Sequence, residues 1–404
     1  MIAWHVYPLG FVGAPIMGEP PENIAHRLGR LTDWVGYAAE LGVDTLSLGP
    51  VFASQTHGYD TVDYLRVDPR LGDDGDIDRL IATTHDAGLR LLLDGVFNHV
   101  GDRHPLYQAA LRLDPQASRY FSWKDGKAQV FEGHPGLVQF NHEQECVVDL
   151  VKDVMRYWMR RGVDGWRLDA AYATGPDFWS RVLPDIRAEF PRSYFFGELI
   201  HGDQTSFVIR SGVDSVTQYE LWKAIWSSLH DPNFFELSWA LGRHNEMLRT
   251  FAPVTFVGNH DVTRIASQVG EQKSVLALVV LMTVGGAPHI YYGDEQGFVG
   301  VKEERIGGDD AIRPQFPASP AELAPYGWWL HDLHRRLIAL RIARPWLERA
   351  ETVNIELTGQ RYVYRVTNPS DQSQWLITTL DVTDATHPWA TVTDPNGEIF
   401  AYRA

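Results

Sequence analysis

Gly165-Trp166-Arg167-Leu168-Asp169-Ala170 is a short, mostly apolar run that carries one cation and one anion. A helical pattern feeds it: Val147, Val148, Val151, Val154, Met155, Trp158 and Met159 recur at helical spacing, and Gly162 follows where a helix would close. The run itself therefore predicts a buried strand ending in a carboxylate. Arg167 and Asp169 lie two apart and share one face of that strand, while Trp166 and Leu168 share the other. Opposite charges on one buried face need each other or a ligand. Taken alone, the pair is accounted for by a structural ion pair.

Working outward, the same alternation of helix and strand recurs. Strands are expected at Ile2 to Tyr7, Thr45 to Leu48, Leu91 to Leu93, Gly165 to Asp169, Tyr194 to Leu199, Val216 to Tyr219, Val254 to Val257 and His289 to Tyr292. Helical patterns lie between them, such as Leu28, Leu31, Val35 and Ala38 closing at Gly42, or Phe178, Trp179, Val182, Leu183 and Ile186, where Pro184 should introduce a bend. Eight such units predict an α/β fold, a closed (β/α)8 TIM barrel. From Gly101 to about Asn141 no period is clean, which marks an excursion after the third strand. A last helix uses Leu330, Leu333, Leu337 and Leu340 and stops at Pro345. Beyond it the period changes to two, at Tyr362–Val366 and Trp375–Thr378, with Pro395-Asn396-Gly397 as a turn. The expected domains are a barrel over 1–100 and 142–345, a short inserted subdomain over 101–141, and a small C-terminal antiparallel β domain over 346–404, drawn as a β-sandwich.

Composition narrows the classes of function. The 404 residues carry a formal net charge of -16 and no long basic run, which argues against nucleic acid as a partner. Cys146 is the single cysteine, so neither an internal disulfide nor a four-cysteine zinc site can form. No apolar run approaches ~20 residues, and the first residues have neither a basic region nor an apolar leader. A cytoplasmic protein without membrane contact is expected. Aromatic residues make up 12 % of the chain, with 14 Trp, a composition compatible with binding sugars on flat ring faces.

In a barrel of this type the functional face lies at the carboxyl ends of the strands. Four of those ends carry polar residues that a core would not choose: Asp94-Gly95-Val96-Phe97-Asn98-His99, Arg167 with Asp169, Gly197-Glu198, and Asn259-His260-Asp261. Each alone is explained by a cap or a satisfied core group; four at equivalent ends converge on one pocket. Carboxylates, histidines and an arginine without a dense metal-ligand set suit cleavage through a cationic transition state, as in glycoside hydrolysis. Phosphoryl transfer is disfavoured, since no G-x-x-x-x-G-K and no glycine-rich fingerprint is present.

These segments, DGVFNHVG, GVDGWRLDA, FFGEL and FVGNHD, resemble the signature regions of the α-amylase family of retaining glycoside hydrolases, in the family's order. WHVYPLGF, HGYDTVDYLRVDPRLG and GGAPHIYYGDEQG match as well. The resemblance implies Asp169 as nucleophile, Glu198 as acid and then base, and Asp261 as the group gripping two sugar hydroxyls and helping to distort the ring. It further implies that Arg167 keeps Asp169 ionised and aimed, that Asp94 supports Arg167, that His99 and His260 donate to sugar hydroxyls, and that Tyr59 stacks on the ring at the cleavage subsite.

The motifs are most similar to the neopullulanase and cyclomaltodextrinase branch. The barrel pattern begins at the first residues, without the N-terminal β domain that builds dimers in that branch, so the resemblance sets no oligomeric state. Where many relatives carry Lys-His after the nucleophile, this chain has Tyr172 and Ala173. No cofactor is expected; should calcium bind, Asn98 is the position at which the family holds it. Asp60 and Arg313 are expected to form an ion pair closing the pocket beyond the non-reducing sugar, or to be solvated loop charges. The activity implied is hydrolysis of α-1,4 bonds in malto-oligosaccharides or related α-glucans, with Ala170 favouring α-1,4. The alternatives are a transglycosylase using the same carboxylates, an α-1,6 or exo-acting α-glucosidase, and a non-catalytic carbohydrate-binding barrel.

Overall fold

The computed structural model describes residues 1–17, 23–305 and 307–404. Eight parallel strands form its centre: β1 (Ala3–Val6), β2 (Thr45–Leu48), β3 (Arg90–Gly95), β4 (Gly165–Leu168), β5 (Tyr194–Gly197), β6 (Ser215–Val216), β7 (Val254–Phe256) and β8 (Ala287–Tyr291). Each neighbours the next in sequence, and β8 pairs with β1. A parallel bridge from Thr217 to Val254, with Gln218 N donating to Val254 O at 2.9 Å, joins β6 to β7 and closes the barrel.

The helix before β4 runs from Glu145 to Arg160, and all seven apolar residues of its predicted stripe are buried. Burial of a Val or Met side chain of this kind contributes about 1.5–3 kcal/mol before the entropy of ordering is subtracted. Gly162 ends the segment with φ +115, a conformation that disfavours any side chain. At Gly165 the reason for glycine differs: a Cβ there would lie 2.0 Å from the Tyr194 carbonyl oxygen on the neighbouring strand. The helix Pro176–Glu189 continues past Pro184, carried by the buried face of Phe178, Trp179, Val182, Leu183 and Ile186.

Two separate apolar clusters reveal how the strands divide their faces. Outward residues such as Trp4, Leu46, Leu91, Leu93, Trp166 and Leu168 pack with the helices in one large cluster. The barrel interior holds a small one, Leu92, Phe196 and Val254. The interior is apolar at one end because the inward positions nearer the carboxyl ends, among them Arg167, are polar. Parity along β4 thus puts Trp166 in the helix layer and Arg167 inside.

The excursion after β3 is anchored where His99–Gly101 pairs antiparallel with Leu137–Gln139. Between them lie the helices Pro105–Leu111 and Pro115–Ser118 and a small hairpin, Trp123–Lys124 with Lys127–Ala128.

The last helix spans Trp328–Ile342. After it come five strands, β9 (Thr352–Leu357), β10 (Arg361–Asn368), β11 (Asp371–Asp381), β12 (Trp389–Asp394) and β13 (Gly397–Arg403), in antiparallel sequential order. The expected β-sandwich is therefore a single sheet. Helices Phe234–Leu248 and Glu271–Thr283 of the barrel contact it, with Thr283 Oγ1 and Tyr364 Oη 2.6 Å apart. Its inner residues, including Tyr362, Tyr364, Val366, Leu376 and Val392, join the main cluster, so the barrel's own helices do the work a second sheet would do.

Candidate active site

Register sets the centre of the site. In the barrel ladder Arg167 on β4 lies opposite Asp94 on β3 and Phe196 on β5. Its Nη1 donates to Asp94 Oδ2 at 2.6 Å and to Asp169 Oδ1 at 2.9 Å, and its Nη2 lies 2.9 Å from Glu198 Oε1. All four residues are buried. Asp169 and Glu198 stand one residue beyond their strands, and the ladder continues under them: Asp169 N donates to Gly95 O at 3.1 Å and Glu198 N to Leu168 O at 2.9 Å.

The backbone turns sharply after Asp169. Ala170 has φ +45, a left-handed conformation uncommon for a residue with a Cβ, and its N–H donates to Glu198 Oε2 at 3.0 Å. The two acids are thus coupled twice, through one guanidinium and through the peptide that follows one of them.

Asp261, past β7, completes the group and is the most accessible acid, with 34 % of its side chain exposed. His260 Nε2 lies 2.9 Å from its Oδ2, and Arg313 Nη2 donates to its Oδ1 at 2.9 Å. Arg313 also donates to the His260 carbonyl at 2.9 Å, pairs with Asp309 at 2.9 Å, and lies 4.6 Å over the Tyr7 ring. The expected ion pair of Asp60 with Arg313 is not made. Asp60 is buried and accepts from Thr56 N at 3.0 Å and Thr56 Oγ1 at 2.6 Å, a local loop clasp that uses both its oxygens. Arg313 satisfies its charge on Asp261 and Asp309 instead.

Tyr59 lies across the same group. Its phenol donates to Asp94 Oδ2 at 3.1 Å and bonds His260 Nε2, with its ring parallel to that of His260 at 5.4 Å. His99 is placed behind it. Its Nε2 bonds the Tyr59 carbonyl at 2.9 Å and its Nδ1 bonds Asn98 Nδ2 at 3.0 Å, so a sugar hydroxyl reaches His99 only by displacing one of these bonds. In this geometry His99 orients Tyr59 and supports Phe131, whose ring stacks on it at 4.8 Å.

Electrostatics divide the acids into two kinds. Burial pushes the Asp169 carboxyl well above the usual carboxylate range; Arg167 pulls it down, and Glu198 and Asp94 push it up again. Asp94 is likewise raised by burial, against the opposing pull of Arg167. Arg167 was expected to hold Asp169 ionised; it does pull the Asp169 carboxyl down, but burial and the two neighbouring carboxylates that share the same cation oppose that pull. Asp261 goes the other way: burial raises it, but His260 and Arg313 outweigh burial and hold it well below the usual range. Burial brings the His99 imidazole down to about 4, so it is neutral near pH 7.

Asn98 is buried, and its Oδ1 has no hydrogen-bond partner while its Nδ2 is used on His99. One amide oxygen falls far short of the six to eight oxygen ligands that calcium takes. Among the described residues the one group of three His, Cys, Asp or Glu atoms close enough to hold a metal ion is His26, Asp73 and Asp76. Asn98 Oδ1 by itself is therefore not a calcium cage.

Several neighbours of the acids were given no role from sequence. Tyr219 donates to Glu198 Oε1 at 3.2 Å, Asn259 Nδ2 donates to Tyr219 at 2.9 Å, and Tyr172 donates to Glu132 Oε1 at 2.8 Å. Tyr219 and Asn259 follow β6 and β7, so their position at strand ends was a usable signal. Phe131 and Glu132 belong to the aperiodic excursion, where no signal existed.

A family model for the α-amylase catalytic domain matches residues 27–321, well over half of the chain. Neopullulanase 2 of Thermoactinomyces vulgaris is 32 % identical over 330 residues, covering 76 % of this chain and 54 % of that one. A 4-α-glucanotransferase of Thermotoga neapolitana is 31 % identical over 299 residues, covering 66 % of each. This chain spans about half to two thirds of the length of the curated relatives it matches. Among solved structures, the ligand-free cyclic α-maltosyl-(1→6)-maltose hydrolase of Arthrobacter globiformis superposes with a TM-score of 0.82 at 22 % identity, over 100 % of this chain and 98 % of that one, and so shares its fold. The matched region contains every strand end from which the acids, Arg167 and His260 project, and the chain belongs to the α-amylase family.

Proposed function

We propose that this chain is a retaining glycoside hydrolase that cleaves α-1,4-glucosidic bonds of malto-oligosaccharides or related α-glucans. The observation that carries this reading is that Asp169 and Glu198 form ion pairs with the two terminal nitrogens of one guanidinium at adjacent strand ends. Retaining enzymes need two carboxyls about 5–5.5 Å apart, one to attack and one to protonate, whereas inverting enzymes hold them farther apart to admit water. A shared guanidinium and the Ala170–Glu198 bond favour the closer arrangement.

In this reading Asp169 attacks C1 as a carboxylate while Glu198 gives its proton to the departing oxygen. A β-glucosyl ester on Asp169 results. Glu198, now ionised, takes a proton from the incoming water, whose oxygen attacks C1, and Asp169 leaves as the carboxylate. Asp261, ionised and the most exposed of the three, grips sugar hydroxyls beside His260.

The test is the anomeric form of the first product. Proton NMR of a fresh digest of maltotriose should show the α-anomer before mutarotation; the β-anomer first would refute retention. A second reading, transfer of the glucosyl unit to another sugar, is favoured by the 4-α-glucanotransferase relative. Products longer than maltotriose appearing early in the same digest would select it.

A further inference from the structure

We infer that Tyr219 is a positioning residue for Glu198, fixing which carboxyl oxygen carries the proton that is transferred. The inference rests on the proposed role of Glu198 and adds an atom-level assignment to it.

Hydrogen-bond direction along one chain of groups leads to this assignment. Asp261 N donates to Asn259 Oδ1 at 2.8 Å, which orients that amide and leaves its nitrogen facing Tyr219. Asn259 Nδ2 can only donate, and it does so to the Tyr219 phenol at 2.9 Å. The phenol oxygen accepts there, so its single proton is left for Glu198 Oε1, 3.2 Å away. Edge-on contacts with Phe256 at 5.0 Å and Trp222 at 5.9 Å hold the ring in place. Burial keeps the phenol well above its ordinary range, so it stays a neutral donor while the carboxyl changes state.

Glu198 Oε1 thus faces a cation, Arg167, and a donor, Tyr219, and Oε2 faces one donor, the Ala170 N–H. A proton on Oε1 would oppose a cation and a donor; a proton on Oε2 opposes one donor. The transferable proton therefore sits on Oε2. Tyr219 also stabilises the carboxylate left after transfer, and through Asn259 the same chain ties Glu198 to the loop that carries Asp261.

Leaving-group dependence tests this, because an activated aryl glycoside needs little help from an acid whereas a sugar leaving group needs it fully. Tyr219→Phe should lose about 10- to 100-fold in kcat/KM on maltotriose, the size of a hydrogen bond to a charged group. It should lose no more than about 3-fold on 2,4-dinitrophenyl α-glucoside, and its alkaline pH limb on maltotriose should move up by about half a unit to one unit. Asn259→Ser, which removes the phenol's donor, should shift both readouts in the same direction and serves if the first variant does not fold. Equal losses on the two substrates with an unmoved limb, or no loss on either, would overturn the assignment while leaving the hydrolase reading intact. A wild-type protein inert towards both substrates would overturn the hydrolase reading and this inference with it.

Discussion

Arg167→Met is the sharpest probe of how the site is held together. The side chain is 5 % exposed, and its guanidinium is the shared partner of Asp94, Asp169 and Glu198. Methionine fills similar volume but donates nothing. Removing one partner of a buried ion pair costs about 3–5 kcal/mol, because the other charge stays buried and uncompensated. A chain of 404 residues unfolds with an entropy of about 0.8 kcal/mol/K, so Tm should fall by about 4–6 °C near pH 7. The pH dependence has a definite sign. Without the cation, burial and mutual repulsion raise the three carboxyls above their unfolded values near ~4. A raised folded-state value means stability that is present below the unfolded value and lost as pH rises. Scanning calorimetry from pH 5 to pH 8 should therefore show a Tm deficit that is small at pH 5 and grows towards pH 8. A deficit that is constant over this range, or larger at pH 5, would refute the view that three acids depend on one buried cation.

The remaining expectations are narrower. Asp169→Asn should abolish turnover of an activated α-glucoside while Tm holds or rises slightly, since it removes one of the like charges crowding Arg167; a wild-type rate would refute the nucleophile assignment. The pair Asp60→Asn and Arg313→Gln should act additively within about 0.5 kcal/mol in a double-mutant cycle, because Asp60 bonds Thr56 while Arg313 bonds Asp261 and Asp309; coupling above about 1 kcal/mol would show that the two charges meet in solution. Dialysis against a strong chelator should leave activity and Tm unchanged, as one amide oxygen at Asn98 makes a poor calcium cage; a large loss would mean that Asn98 has further ligands.

Periodicity along the chain determined the barrel and the C-terminal change to antiparallel strands, since burial on one face imposes a period of 3.6 on a helix and 2 on a strand. It also determined that Arg167 and Asp169 share a face, and because parallel strands deliver their carboxyl ends to one side, it grouped Asp94, Asp169, Glu198 and Asp261. What the tertiary structure alone decided is the partner of each charge. Asp60 took Thr56 and not Arg313; the guanidinium of Arg167 reached Glu198 as well as Asp94 and Asp169; His99 placed both nitrogens on protein groups; and the final sheet packed on barrel helices in place of a second sheet. Each of these is a choice among partners far apart in sequence, settled by distances of a few tenths of an ångström and by competition for the same donor. Local pattern carries no record of such competition, so it becomes visible only when the chain has closed on itself.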